Sequence, residues 1–401
     1  MTIACPDCGA LEELIPPSAG DRVVCPICAN NLEQTSGRSI DAALGCSLGT
    51  LLLLFPANLI PLMSVSMLGM RRSSLLGSGV VEIWNEHWVL LALAIGAFAI
   101  VLPFIRFGLL SLALGTLRLG YRPSWLGIAF RWALWLEVWA MPDVFLLGAF
   151  VGYSRVAANL NVTIEWGGYC FIAAAFLSMI SRASLDRQMV WRAIHPDGQV
   201  ASQAPMLSCP TCDLVIPVEA EGQPCPRCRA LLSARKPDSI LRTAALTGSA
   251  FILFWPANIY PMSVSAQLGE PVSYRIIDGV RALFDAGFAP LGVLIFFASI
   301  AIPALKIIGL SWCVISVVRR SRRHLVAKTR LYRAIDEMGR WSSIDPFTIS
   351  IFVPLMKFDS LASSHAEMGA TAFILVVALT LAASRSFDPR LMWDSAEEAG
   401  G

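Results

Sequence analysis

Eight of the eleven cysteines in this chain of 401 residues fall in four Cys-x-x-Cys pairs. The pairs are Cys5/Cys8, Cys25/Cys28, Cys209/Cys212 and Cys225/Cys228, and a proline follows the first cysteine of each. Two thiolates leaving one tight turn make half of a tetrahedral four-sulfur site, and a second such turn completes it. The gap between pairs is 16 residues in the first head, within the zinc-ribbon range, and 12 in the second, which is somewhat short. Gly9 suits the turn after the first pair. Polar filler surrounds both heads, so a bound ion would hold each together. Two structural zinc ions are expected. Rubredoxin-like iron competes, because four thiolates also bind iron. Redox dithiols are disfavoured, since no thioredoxin-like βαβ pattern flanks the pairs. No removable signal peptide precedes Cys5, so the first head is expected in the reducing cytosol, where such thiols are ligands rather than disulfides.

The second group with chemical potential lies inside apolar runs. Arg106 and Lys306 each follow a proline by three residues, Pro103 and Pro303. Asp143 and Asp345 each follow a tryptophan by four, Trp139 and Trp341. Ionisable groups in apolar spans are costly and count as functional candidates. A cation and a carboxylate in each half can pair in a bundle interior, to hold ligand head groups or relay protons. A static salt bridge or snorkelling toward the interface is the plainer alternative. Ser343, Thr348 and Lys357 add polar neighbours around Asp345, which makes the second half the better candidate for an active network. Glu137 and Arg155 sit nearer span ends and read as structural. The motif Pro-Ala-Asn-x-x-Pro occurs at Pro56, Asn58, Pro61 and again at Pro256, Asn258, Pro261. Its prolines break a helix and its asparagine can satisfy freed backbone groups. It reads as a helix terminator or as an opening to the far side. The four histidines are scattered, and no nucleotide-binding loop or hydrolase motif occurs.

These elements sit on a tandem repeat with a shift of about 200 residues. Phe55-Pro-Ala-Asn matches Trp255-Pro-Ala-Asn, both followed by Met-Ser-Val-Ser and a glycine, Gly69 or Gly269. The composition is 56% hydrophobic and 15% charged with a mean hydropathy of +0.62. That leaves too few charges to coat a soluble protein of this size, and it excludes a disordered chain or a coiled coil. The fold class is an α-helical polytopic membrane protein. It has two tandem modules, each a small four-cysteine, zinc-ribbon-like head plus a four-helix transmembrane bundle. Spans are expected near 41–63, 88–116, 131–153 and 166–182, then 241–262, 288–318, 343–357 and 368–385. The domains are then a head at 1–38, module one at 39–185, a linker and second head at 186–238, module two at 239–388 and a tail at 389–401. Tryptophans near span ends, such as Trp84, Trp88, Trp166, Trp255 and Trp341, read as interfacial anchors. The Lys and Arg bias puts both heads and both termini in the cytoplasm; Arg319 to Arg333 carry most of it, and Arg71, Arg72, Arg275 and Arg281 oppose it. A net charge of +2 gives no argument for nucleic acid as a partner.

The duplicated Cys-Pro-x-Cys heads, the two Pro-Ala-Asn-x-x-Pro motifs, Pro303 to Lys306 and Trp341 to Asp345 together resemble the paraquat-inducible protein A family, over essentially the whole chain. The resemblance implies a bacterial inner-membrane protein of Gram-negative envelopes with zinc ribbons. It implies a non-enzymatic lipid-handling role beside a periplasmic MCE-domain protein, passing phospholipid to or from its tunnel, with the proton gradient as a candidate drive. Arg106 standing where module two has Lys306 speaks against titration in module one, and the short second gap makes the second metal less secure. A membrane redox protein using metal-bearing or thiol-bearing heads is the alternative function. A small-ion or drug transporter is a third.

Overall fold

A computed structural model of the chain describes residues 2–13, 22–34, 40–67, 70–157, 161–195, 206–267, 270–285, 287, 289–355 and 362–398. The first head is two antiparallel hairpins, β1 (Thr2–Ala4) with β2 (Leu11–Glu13) and β3 (Arg22–Val24) with β4 (Asn31–Gln34). Module one follows. It runs α1 (Ile40–Leu59), β5 (Met63–Met67), β6 (Met70–Ser74), α2 (Ser78–Asn85), α3 (Val89–Gly96), α4 (Leu102–Arg118), α5 (Leu126–Trp135), α6 (Pro142–Ala157), β7 (Asn161–Ile164), α7 (Trp166–Ser184) and α8 (Arg187–Ile194). The second head holds β8 (Met206–Ser208) and β9 (Val215–Pro217). Module two repeats the order as α9 (Ser239–Ile259), β10 (Ser263–Gln267), β11 (Glu270–Tyr274), α10 (Ile276–Asp285), α11 (Ala289–Phe296), α12 (Ile302–Val318), α13 (Leu325–Met338), α14 (Ile344–Leu355), β12 (Ala362–Ala366), α15 (Met368–Ser386) and α16 (Arg390–Glu398).

Among the described residues, six helical stretches are long and apolar enough to cross a bilayer, namely 40–59, 89–118, 126–154, 239–259, 289–318 and 368–386. The pair α7 and α8, bent by 69°, gives a seventh candidate. α7 is the counterpart of α15, since each packs along the first helix of its module. The expected span at 343–357 differs. There α14 has 12 residues, about 18 Å at 1.5 Å per residue, which is too short to span alone. The helix before it, α13, carries Lys328, Arg330, Arg333, Asp336 and Glu337, so the whole stretch lacks the apolar character of 126–154.

The first span of each module also stops short of expectation. α1 ends at Leu59 and the chain enters β5 at Met63. Each module caps one end with a three-stranded antiparallel sheet, in the order β6-β5-β7 and β11-β10-β12. The same backbone bonds tie both sheets down: Gly167 N donates to Pro61 O at 3.1 Å, and Gly369 N donates to Pro261 O at 3.1 Å. Glycine is required here, because a Cβ on Gly167 would stand 2.2 Å from Ile60 O. Trp88 and Trp341 pack on the module core instead of standing as anchors, whereas Trp84, Trp166 and Trp255 are exposed.

A π turn interrupts the second span of each module at equal positions, Ala97–Val101 and Phe297–Ala301. Pro103 and Pro303 cannot donate to the carbonyls four residues back, which accounts for the widened turn. The modules meet where equivalent residues face each other, with the rings of Phe145 and Phe347 5.2 Å apart. Gly79 of α2 lies so close to α14 that a Cβ would sit 1.8 Å from Ser350 O. Gly79→Ala is therefore expected to loosen the module contact by about 1–3 kcal/mol. Thermal unfolding in detergent reads this as a lowered midpoint. Gly45→Ala, with nothing within 4 Å of its Cβ position, serves as the unchanged control.

Candidate functional site: two four-cysteine heads and two buried cations

In each head the two knuckles bring four sulfurs together. Cys5 Sγ lies 3.4 Å from Cys28 Sγ, and Cys8 Sγ lies 3.6 Å from Cys25 Sγ. Cys209 to Cys228 and Cys212 to Cys225 are each 3.6 Å. Within each head all four lie within 4.8 Å of one another. A metal–sulfur bond of about 2.3 Å sets tetrahedral edges of about 3.8 Å, so both clusters fit a tetrahedral thiolate-bound ion. The 12-residue gap of the second head is long enough. Each knuckle closes the same way. The residue after its second cysteine adopts a positive φ (Gly9 at 79°, Ala29 at 56°, Asp213 at 55°, Arg229 at 59°) and donates its N–H to the first cysteine's carbonyl. The hydrogen bond from Cys8 holds the Cys5 thiol below the ordinary thiol range, while burial pushes Cys28 up. Burial also pushes Asp7 and Asp213, each beside a knuckle, up to about 6.

The heads are exchanged between the modules. The first head docks on module two, where Arg333 of α13 holds both of its knuckles. Arg333 Nη2 donates to Cys28 O at 2.8 Å, Nη1 donates to Ala29 O at 3.1 Å, and Nε lies 3.1 Å from Asp7 Oδ2. Trp393 of α16 packs on the same cysteines. The second head docks on module one. A Cβ on Gly127 of α5 would stand 2.0 Å from Arg227 O, and Gln188 Nε2 of α8 donates to Asp213 Oδ2 at 2.9 Å. Phe130 and Trp191 share its core with Cys209 and Cys212. Both heads, α8 and α16 thus lie at the end of the modules opposite the sheets.

Within module one, Arg106 is 1% exposed. Its nearest carboxylate is Glu137, with Nη2 to Oε2 at 3.8 Å, and its guanidinium lies 4.9 Å over the Phe107 ring. Asp143 instead meets Arg182, Oδ2 to Nη1 at 3.2 Å. Glu137 joins the two pairs, with Oε1 3.2 Å from Arg182 Nε and Oε2 accepting from Arg187 Nη2 at 2.9 Å. Arg106 and Asp143, the pair expected from spacing, are linked through Glu137 and Arg182, and both belong to one network whose hub is Glu137. Module two solves the same problem differently. Gly339 holds the place of Glu137 at the repeat shift of 202 residues, and a Cβ there would stand 3.2 Å from Lys306 Nζ. Lys306, also 1% exposed, donates to Thr380 Oγ1 at 2.8 Å. Thr380 in turn donates to Val377 O at 3.0 Å. Thr348 lies at the module contact and donates to Ile344 O at 3.0 Å and to Gly148 O at 3.2 Å. Asp345 lies in the first turn of α14 and Ser343 just before that helix; the side chains of both, and all of Lys357, lie outside the described residues.

Asn58 Nδ2 donates to Leu54 O at 2.7 Å and Asn258 Nδ2 to Phe254 O at 2.8 Å, in the last turns of α1 and α9. These are not the carbonyls that Pro56 and Pro256 leave bare, which belong to Leu52 and Ile252. Pro61 and Pro261 instead accept the sheet-anchoring bonds described above. Arg182, Arg187 and Thr380 were not among the site residues read from the sequence, and Glu137 was read there as structural. Its place near a span end was visible, but not that a helix break there turns it toward Arg106.

Two tandem helical modules with buried intramembrane cations and metal-competent four-cysteine heads define a multi-pass membrane protein. The family model for paraquat-inducible protein A matches residues 40–195 and 240–397, and the chain belongs to that family. It is 28% identical over 412 residues to the intermembrane transport protein PqiA of Escherichia coli K12, covering 99% of this chain and 96% of that one. It is 26% identical over 399 residues to the lipophilic envelope-spanning tunnel protein A of the same strain, covering 98% and 91%. A probable intermembrane transport protein of Haemophilus influenzae is 24% identical over 410 residues, covering 98% and 95%. No solved structure matches the chain. With these relatives the protein is a multi-pass membrane protein of the bacterial envelope.

Elemental analysis of the purified chain is expected to give two tetrahedrally bound metal ions. Cys25→Ser and Cys225→Ser are each expected to remove one of them, and stripping both with a chelator to lower the thermal midpoint.

Proposed function

We propose that the chain is an inner-membrane subunit of an intermembrane lipid transport system. It passes phospholipid to or from a periplasmic tunnel built by an MCE-domain protein, and the proton gradient drives it through Lys306 and Asp345 of module two. The observation that carries this reading is Lys306, a cation enclosed in the membrane module whose hydrogen-bond partner among the described residues is the Thr380 hydroxyl. A lysine so held can give up its proton, whereas Arg106 is fixed by Glu137 and keeps its charge. The names of the relatives, intermembrane transport and envelope-spanning tunnel, support the lipid route. The heads hold zinc in this reading and act as structural parts, since four thiolate ligands leave no open coordination position for chemistry. That favours transport over the redox alternative and over any enzymatic role. The domain limits read from the sequence are retained: a head at 1–38, module one at 39–185, linker and second head at 186–238, module two at 239–388 and a tail at 389–401. The heads and both termini are cytoplasmic, because the cation-rich connections such as Arg319 to Arg333 share their end of the modules. The sheets then face the periplasm and the MCE partner.

Lys306→Ala and Asp345→Asn are expected to lower phospholipid transfer to the partner by about tenfold or more, at unchanged expression and thermal midpoint. Full transfer by both variants would remove these residues from the mechanism.

A further inference from the structure

Between the two heads and the two modules lies a chamber of about 570 Å³. Each surrounding part contributes a carboxylate to its wall: Asp7 from the first head, Asp213 from the second, Glu137 from module one and Asp336 from module two. Arg182 and Arg385 line it as well. Walls of this kind do not stay dry, and at about 30 Å³ per molecule the space holds well over ten waters.

The chamber touches both buried cations, each through one acidic residue. On the module-one side Glu137 stands between it and Arg106. Arg106 Nε and Nη1 find no hydrogen-bond partner among the described residues. Arg182 from α7, Arg187 from α8 and, through Arg182, Asp143 from α6 surround the same carboxylate. On the module-two side the wall residue is Asp336 of α13, which accepts from Ser384 Oγ at 3.1 Å and lies 3.5 Å from Arg385 Nε. Ser384 is one turn along α15 from Thr380, the partner of Lys306. Asp336 is likewise one turn before Gly339, which abuts the Lys306 ammonium. Asp7 and Lys236 face Asp336 from across the chamber.

We propose that this chamber is a water-filled inlet shared by the two modules, through which water from the head side reaches Glu137 beneath Arg106 and Asp336 beneath Lys306. The cross-docked heads form its roof. Its use as the proton exit to the cytoplasm rests on the proton-coupled reading above; its hydration rests on the chamber alone.

Thiol labelling of the full chain tests it. Cys46, Cys170 and Cys313 are replaced by serine and the heads are kept metal-loaded. A cysteine is then introduced on each side of the chamber by Leu134→Cys in α5 or Glu337→Cys in α13, with lipid-facing Leu112→Cys in α4 as the reference. The probe is a positively charged, membrane-impermeant methanethiosulfonate, applied to vesicles of either orientation. Both chamber cysteines are expected to react from the head side at least about tenfold faster than Leu112→Cys, and neither from the sheet side. Rates no faster than the reference, or reaction from the sheet side, would overturn the inlet. The labelling needs no lipid transfer and no gradient, so a failure of proton coupling leaves this result standing and the two readings separable.

Discussion

Arg106 and Lys306 each keep a side chain of formal charge inside an apolar bundle, where moving an ion out of water costs several kcal/mol unless partners replace the solvent. Much of the surrounding architecture answers that cost. The prolines three residues earlier open a π turn in the carrying helix, and the helix facing the cation is broken into two pieces with a short turn between them. In module one the break supplies Glu137, and through it Arg182, Arg187 and Asp143. In module two the break supplies a glycine, so the ammonium approaches backbone and takes Thr380 as its partner. Among the described residues, one repeat thus holds an ion network and the other a lysine with a neutral acceptor. The difference lies at a few aligned positions, Arg106 against Lys306, Glu137 against Gly339 and Arg182 against Ser384.

The exchanged heads tie the two modules into one unit. The first head has little apolar core beyond its cysteines, so an ion held by its thiolates would fix its shape, whereas the second head shares an apolar core with module one. Because Arg333 reaches the backbone of the first head and Gly127 lies against that of the second, a correctly folded head is also a correctly docked one. A metal held in the heads would therefore contribute to the assembly of the membrane part. On the opposite end the two sheets repeat the same anchoring bonds, which fixes the ends of the first and last spans against each other.

Much of this was legible in the sequence, because the tandem repeat doubles every signal. Four cysteine knuckles at workable spacing, long apolar runs and paired polar positions within them all point to two modules with metal-binding heads. The short strands after each Pro-Ala-Asn motif were not legible. Five residues between two long helices, read as the end of a span, carry too little pattern to declare a strand. The span at 343–357 misled because apolar content marks burial as readily as lipid contact, and α14 is packed between α2 and α6. Spacing identified Arg106 and Asp143 as intramembrane groups but could not pair them, since the partner is decided by how a broken helix rotates Glu137. The exchange of heads is a matter of chain crossing and leaves no local trace.

In the proposed cycle a proton, moving through the module that holds Lys306, drives phospholipid between the membrane and a periplasmic partner. The direct measurement is transfer of a labelled phospholipid from vesicles containing the purified chain to the MCE-domain protein, with an imposed pH gradient and after its collapse by a protonophore. Transfer is expected to rise with the gradient and to fall to the protein-free rate when the gradient is lost. Transfer that continues unchanged after collapse would contradict proton drive through Lys306.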